Sequence, residues 1–311
     1  MKRVVVILIV LLAVCVGVLY VGVSSVQSFS YSTKVGCTAT GAIRILGDPF
    51  QKLKAWPGEK TNDSTFRFNE MSFTTGNGLL NEFPLTFSVN NFKTKGSLVV
   101  EEINADTARF FITAITTLSY NPIKRIEEYL NLQELKKNID ALLSALKKRF
   151  IDETIIYGIS IEKTNVKDST MIAVKKTMNH YPSVEEIYQA VDDIKEYIHK
   201  NGGKETSAPM LNIFKESETA YLTMIAVPTM GNVRPSEFFL LKQMLPGGFI
   251  LSAQVTGGMK NITAGEEAIK QYVIDHRKTS PAIPFQLLVT DRRKETDTTK
   301  WVTRLYYPIL Y

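Results

Sequence analysis

The stretch Met178-Asn179-His180-Tyr181-Pro182-Ser183-Val184-Glu185-Glu186-Ile187, continuing through Tyr188 to Ile198, decides how the second half of the chain folds. Ser183 and Glu186 have the spacing of a capping box: the hydroxyl accepts from an exposed N–H and the carboxylate reaches back to the cap. Ile187, Val191, Ile194 and Ile198 then recur at helical spacing, and Asn201-Gly202-Gly203 stops the helix. Alternation predicts a strand over 170–178 before it and strands over 210–214 and 221–227 after it. The same order returns downstream. A strand over 248–256 leads to a second capping box at Thr263-Ala264-Gly265-Glu266, with Ile269 and Val273 facing inward and strands over 285–290 and 302–308. Two tandem β-α-β-β units predict a pseudo-symmetric sheet with both helices on one face and a cleft on the other.

Upstream, residues 28–152 show a different pattern. A strand over 28–38 precedes short helical pieces over 41–45 and 50–56, broken by Gly47-Asp48-Pro49 and Pro57-Gly58. Alternating stretches over 65–75, 84–89, 95–103 and 108–118 predict an antiparallel sheet. After Pro122, the residues Ile126, Leu130, Leu135, Ile139, Leu142, Leu146 and Phe150 mark one long amphipathic helix. A curved sheet wrapped round such a helix predicts an apolar cavity beneath it near Ile139.

Two resemblances follow from these residues. The segments "MNHYPSVEEIYQAVDDIKEYI" (178–198), "AVPTMGNVRP" (226–235), "VTGGMKNITAGEEAIKQYV" (255–273) and "WVTRLYYPIL" (301–310) resemble the GyrI-like small-molecule-binding domain. That module also serves as the effector-binding domain of AraC- and MerR-type regulators. The resemblance covers 153–311 and implies a ligand cleft lined by aromatics, with Tyr181 where the family often has Tyr. Trp301 and Tyr306 are the other candidate lining residues. Many relatives carry Glu just before the terminal Leu-aromatic-Pro segment, where this chain has Arg304. Turned into the cleft, Arg304 would repel cations and offer a carboxylate or phosphate a bidentate partner; turned outward, it is a charge on a surface strand. The segments "DPFQKLKAWPG" (48–58) and "LSYNPIKRIEEYL" (118–130) resemble the START/polyketide-cyclase superfamily (SRPBCC), which implies a helix-grip fold and an apolar ligand for 28–152.

The first 27 residues read as a membrane anchor. An uncharged run from Val4 to Val23 follows Lys2-Arg3, and at 1.5 Å per residue it would span roughly 30 Å, the depth of a bilayer core. Lys2 and Arg3 keep the N-terminus inside and place the remaining chain on the periplasmic side. A cleaved signal peptide has a shorter apolar region and an A-x-A-like site, which Ser24-Ser25 imitates poorly. A lipoprotein would need a small residue before Cys15, where Val14 stands.

Composition narrows the function. The chain has 311 residues, 44% of them hydrophobic and 22% charged, so disorder is excluded and roughly two domains are expected. Two cysteines, Cys15 in the span and Cys37 beyond it, form no disulfide scaffold, and His180, His199 and His276 give no zinc pattern. The net charge of +6 is spread among acids, without the continuous basic stripe that nucleic acid requires. No G-x-S-x-G, phosphate loop or paired-His motif occurs. Glu101 and Glu102 point to opposite faces of their strand, and Gly247-Gly248 and Gly257-Gly258 read as turns. His180 could touch the cleft mouth, and His199 suits a helix C-terminus.

The sequence therefore predicts an α+β protein with an N-terminal transmembrane helix, a helix-grip domain and a GyrI-like domain. Its expected function is non-catalytic binding of a partly apolar small molecule, anionic where Arg304 faces the cleft. No metal, cofactor or nucleic-acid partner is expected. The alternatives are a hydrolase of the cyclopropanoid kind and a structural envelope module.

Overall fold

The structure, a computed structural model, describes every residue except 1–6, 8, 9, 12, 15, 18, 19, 49, 167, 168, 245, 246 and 311. It is a mixed α+β chain of two compact units, Met1–Ile156 and Tyr157–Tyr311, each built on a large curled antiparallel sheet. Of the 20 positions in the expected span, Val4 to Val23, nine lie outside the described residues. Those described between Ile7 and Gly22 are helical, and no helix of the described residues is long and apolar enough to cross a membrane.

In the first unit, strand β1 (Val26–Val35) is followed by helices α1 (Ala39–Gly47) and α2 (Lys52–Ala55). Then come β2 (Glu59–Lys60), β3 (Thr65–Phe68), β4 (Met71–Thr75), β5 (Glu82–Val89), β6 (Phe92–Asn104) and β7 (Thr107–Thr117). They pair in the order β1-β7-β6-β5-β4-β3-β2. The single strand expected over 65–75 is two, because Asn69 adopts a positive φ of 52° and turns the chain back. Alternation along β5 sends Phe83, Leu85, Phe87 and Val89 inward, and β7 does the same with Ala108, Phe110, Ile112 and Ala114.

Helix α3 (Pro122–Ile151) lies across this inner face, packed on β1, β5, β6 and β7. Asn121 caps it, its Oδ1 accepting from the N–H groups of Ile123 at 3.0 Å and Lys124 at 3.2 Å, with Pro122 in the first turn. Leu135, Ile139, Leu142, Leu146 and Phe150 are fully buried. The cavity expected beneath Ile139 is absent there: with none of its surface accessible, no water-sized space reaches that side chain. Large aromatics occupy the interior instead, Phe66 stacking on Phe73 at 5.4 Å and Phe110 meeting Phe150 edge-on at 5.2 Å.

A short helix, α4 (Thr154–Tyr157), follows. The second unit then runs β8 (Glu162–Asn165), β9 (Ser169–Met178), α5 (Val184–Lys200), β10 (Lys204–Glu205), β11 (Met210–Lys215), β12 (Tyr221–Met230) and β13 (Leu240–Met244). It continues through β14 (Phe249–Thr256), α6 (Met259–Asp275), β15 (Phe285–Leu288) and β16 (Val302–Ile309). The order β13-β9-β12-β11-β15-β16-β14-β8 contains β9-β12-β11 and β14-β16-β15 as mirrored sets. They meet where Met210 faces Leu287 and Leu211 faces Gln286.

The capping box at Ser183 and Glu186 forms in both directions. The second one does not. Helix α6 starts earlier, with Gly258 at its cap and no side-chain capping bond, so Thr263 lies within the helix. Gly257, at φ 128°, makes that early turn possible.

Candidate functional site

Strand alternation sorts the second unit's sheet into two faces. Ile172, Val174, Leu211, Ile225 and Val227 pack under α5, while Leu251, Ala253, Val255 and Leu305 pack under α6. The neighbouring residues in each strand must point the other way. Met171, Ala173 and Ala226 accordingly cluster with Met210 and Met244 on the helix-free face.

Two adjoining cavities open on that face. One, of about 310 Å³, is walled by Met171, Met210, Met224 and Met244 with Ala173, Ala226, Phe285 and Pro308, and Lys242 also lines it. The other, of about 540 Å³, is more polar and includes Arg304, Tyr306, Ser252, Thr206, Ser207 and Glu162. Met210, Met244 and Phe285 belong to both, so the two form one continuous cleft. Methionine thioethers are flexible and polarizable, and such walls adapt to apolar and aromatic bodies of varied shape.

Arg304 and Tyr306 therefore lie on the cleft side of β16. Arg304 stands opposite Gln254 of β14 and donates from Nη2 to its Oε1 at 3.4 Å, while remaining exposed. Tyr306 faces Phe285 across the strands, their rings stacked at 5.1 Å. This arrangement sets a planar cation at the polar end and an aromatic pair where the polar and methionine-lined spaces join.

Trp301 belongs to the opposite face. It packs with the α6 cluster, its Nε1 donates to the Glu295 carbonyl at 2.8 Å, and the Arg292 guanidinium lies 4.9 Å from its ring. Tyr181, in the loop before α5, meets Tyr221 edge-on at 5.7 Å and is half-exposed. Neither is among the cleft-lining residues. Burial raises the Tyr181 hydroxyl's pKa, with Glu266 and Tyr221 adding to the rise and Arg292 opposing it. Glu266 is open to solvent as a residue, yet burial of its carboxyl end raises its pKa, against the Gln286 Nε2 that donates to it at 2.9 Å.

His180 is engaged at the α5 cap rather than in the cleft, its Nε2 lying 3.1 Å from both Glu186 carboxylate oxygens. The Ser183 backbone N–H and then His180 hold the Glu186 carboxyl below its ordinary range. His199 meets Glu205 at 2.8 Å, and His276 stacks on Tyr272 at 3.9 Å. Among the described residues, no three His, Cys, Asp or Glu side chains are placed to hold a metal.

Sequence reasoning missed two parts of the cleft. The four methionines stand on strands whose helix-facing neighbours were read, so alternation could have found them. Glu162 sits on β8, whose Glu-Lys-Thr-Asn sequence carries no strand signal.

Neither a family model nor a curated protein matches the chain. Among solved structures, the EcmrR C-terminal domain aligns with a TM-score of 0.42 at 11% identity, covering 49% of this chain and 97% of that one. A hydrolase from Listeria innocua gives 0.38 at 13% identity, covering 48% and 91% respectively. SAV2435, solved bound to tetraphenylphosphonium, gives 0.33 at 13% identity, covering 49% and 94%. At these scores no functional argument passes to this chain by likeness.

Proposed function

We propose that the second unit is a non-catalytic binding module of GyrI-like type for an amphipathic small molecule. The apolar body fills the methionine-lined chamber, and an anionic group pairs with Arg304. One observation carries this reading: a chamber walled by four methionines opens directly onto a cavity lined by Arg304 and Tyr306. A guanidinium gives a carboxylate or phosphate two parallel hydrogen bonds, which suits Arg304 to an anion. We further propose that the N-terminal segment anchors the chain in the cytoplasmic membrane with both units on the periplasmic side, and that the first unit is START-like.

The test is a thermal-shift series with an aryl carboxylate, an aryl phosphate, a neutral aromatic and tetraphenylphosphonium, on wild type and Arg304→Glu. A ligand at 100 times its Kd stabilises by about 2.7 kcal/mol. Shifts from the anions in wild type, lost in Arg304→Glu, support the reading. No shift with any compound overturns it and leaves the envelope module.

A hydrolase is the second reading, and the Glu162 carboxylate lining the polar cavity favours it. Turnover of a strained apolar substrate that vanishes in Glu162→Gln would establish it over simple binding.

A further inference from the structure

The first unit holds a nearly buried arginine that no acid among its described residues neutralises. Arg125 lies one heptad before Leu132 on the inward face of α3 and is only 5% exposed. Its Nε has no hydrogen-bond partner, and the side chain forms no ion pair among the described residues. Its one neighbour of note is the Tyr20 ring, whose centroid is 4.4 Å from the guanidinium carbon. A cation–π contact compensates only part of the cost of stripping water from most of a guanidinium. An anion would complete the site.

The space beside Arg125 shows what kind of anion fits. A pocket of about 170 Å³ runs between the N-terminal helical residues and the start of α3, walled by Val16, Tyr20, Val23, Pro122 and Leu130. Among the described residues that line it, Arg125 is the one that carries a charge. Next to these residues in sequence, Tyr120 and Ile123 hold their side chains out to solvent, 79% and 80% exposed. The N-terminal N–H groups of α3 are already served by Asn121, so that helix end makes no separate demand for a ligand. A free inorganic anion would gain nothing from the apolar walls. A neutral apolar molecule would leave Arg125 unpaired. An anionic amphiphile answers both.

We propose that this seam binds an anionic phospholipid, its phosphate paired with Arg125 and one acyl chain lying along Val16, Tyr20, Val23 and Leu130. Tyr120 and Ile123 then enter the headgroup region, where amphipathic and apolar side chains settle. The inference takes the bilayer as lipid source from the anchoring proposed above, and it is independent of the cleft in the second unit.

The full chain would be placed in nanodiscs of phosphatidylcholine alone and of phosphatidylcholine with a minority of phosphatidylglycerol, and retained lipids counted by native mass spectrometry. Wild type should retain phosphatidylglycerol over phosphatidylcholine, and Arg125→Gln should lose that preference by about tenfold. Arg125→Lys, which keeps the charge but not the planar fork, should retain part of it. Equal retention of the two lipids by wild type overturns the proposal, a result that needs no variant to fold. So does unchanged phosphatidylglycerol retention in Arg125→Gln. A third arm adds inorganic phosphate to the phosphatidylcholine discs; phosphate bound through Arg125 without lipid preference overturns the lipid assignment. Alkaline-carbonate extraction from vesicles reads the anchor separately. If the chain is extracted, the same lipid count in phosphatidylglycerol-doped micelles still decides the pocket.

Discussion

Arg292 shows how much one side chain can hold. It is buried, and its Nη2 donates to Gln286 Oε1 at 3.3 Å and Thr303 Oγ1 at 3.0 Å beneath the Trp301 ring. Its backbone N–H also donates to the Tyr188 hydroxyl at 3.0 Å, linking α5 to the turn that follows β15. Burial lowers its pKa from the ordinary arginine range. Truncation would leave Gln286 and Thr303 without this donor, so Arg292→Met should cost about 3 kcal/mol in urea unfolding, and Arg292→Lys less. Cys37 makes a different prediction. Burial, and secondarily Glu153, push its thiol up from 9.0 to about 12. A folded-state pKa raised above the unfolded value means the contribution is intact below 9.0 and is lost as pH rises toward about 12. Unfolding free energy measured across that window should fall more steeply for wild type than for Cys37→Ala. Matching slopes would remove the thiol as the cause.

At the scale of elements, the two helices of the second unit begin by different chemistry. Helix α5 starts on a complete capping box, so Ser183→Ala should cost about 1 kcal/mol in thermal or urea unfolding. Helix α6 starts on Gly258 without a side-chain cap, and Thr263 lies exposed inside it. Thr263→Ala should therefore change stability by less than about 0.5 kcal/mol. Gly265 separates propensity from packing. Alanine is the better helix former by about 1 kcal/mol, yet a Cβ at Gly265 would stand 2.7 Å from Val255 Cγ2 and 2.8 Å from Leu305 Cδ1. Gly265→Ala should destabilise by about 1–3 kcal/mol as α6 is pushed off its sheet. A neutral or stabilised variant would show that α6 shifts at little cost.

At the scale of the whole molecule, each unit has its own sheet and its own buried core. The core under α5 and α6 draws on residues from Ile159 onward. A fragment spanning 157–311 should thus unfold in one cooperative transition and show the same anion-induced shift as the full chain. A broad, non-cooperative melt of that fragment would mean that the second unit needs the first.

The sequence by itself determined the three long helices and most of the strands they pack on, because periods of two and of 3.6 residues are local properties of the chain; it passed over β8 and β13 and ran β3 and β4 together. It also determined the Ser183 cap, whose partners lie three residues apart. Only the tertiary structure decided which face of β16 carries Arg304, since a slip of one residue exchanges the two faces and the register depends on β14 and β15. The same pairing put Trp301 under α6 and Tyr306 in the cleft. It assembled the four methionines from strands β9, β11, β12 and β13, which no local pattern connects. It closed the interior around Ile139, where aromatic side chains from distant strands meet α3. It also covered Arg125 with Tyr20, a contact between segments about a hundred residues apart whose proximity depends on packing rather than spacing.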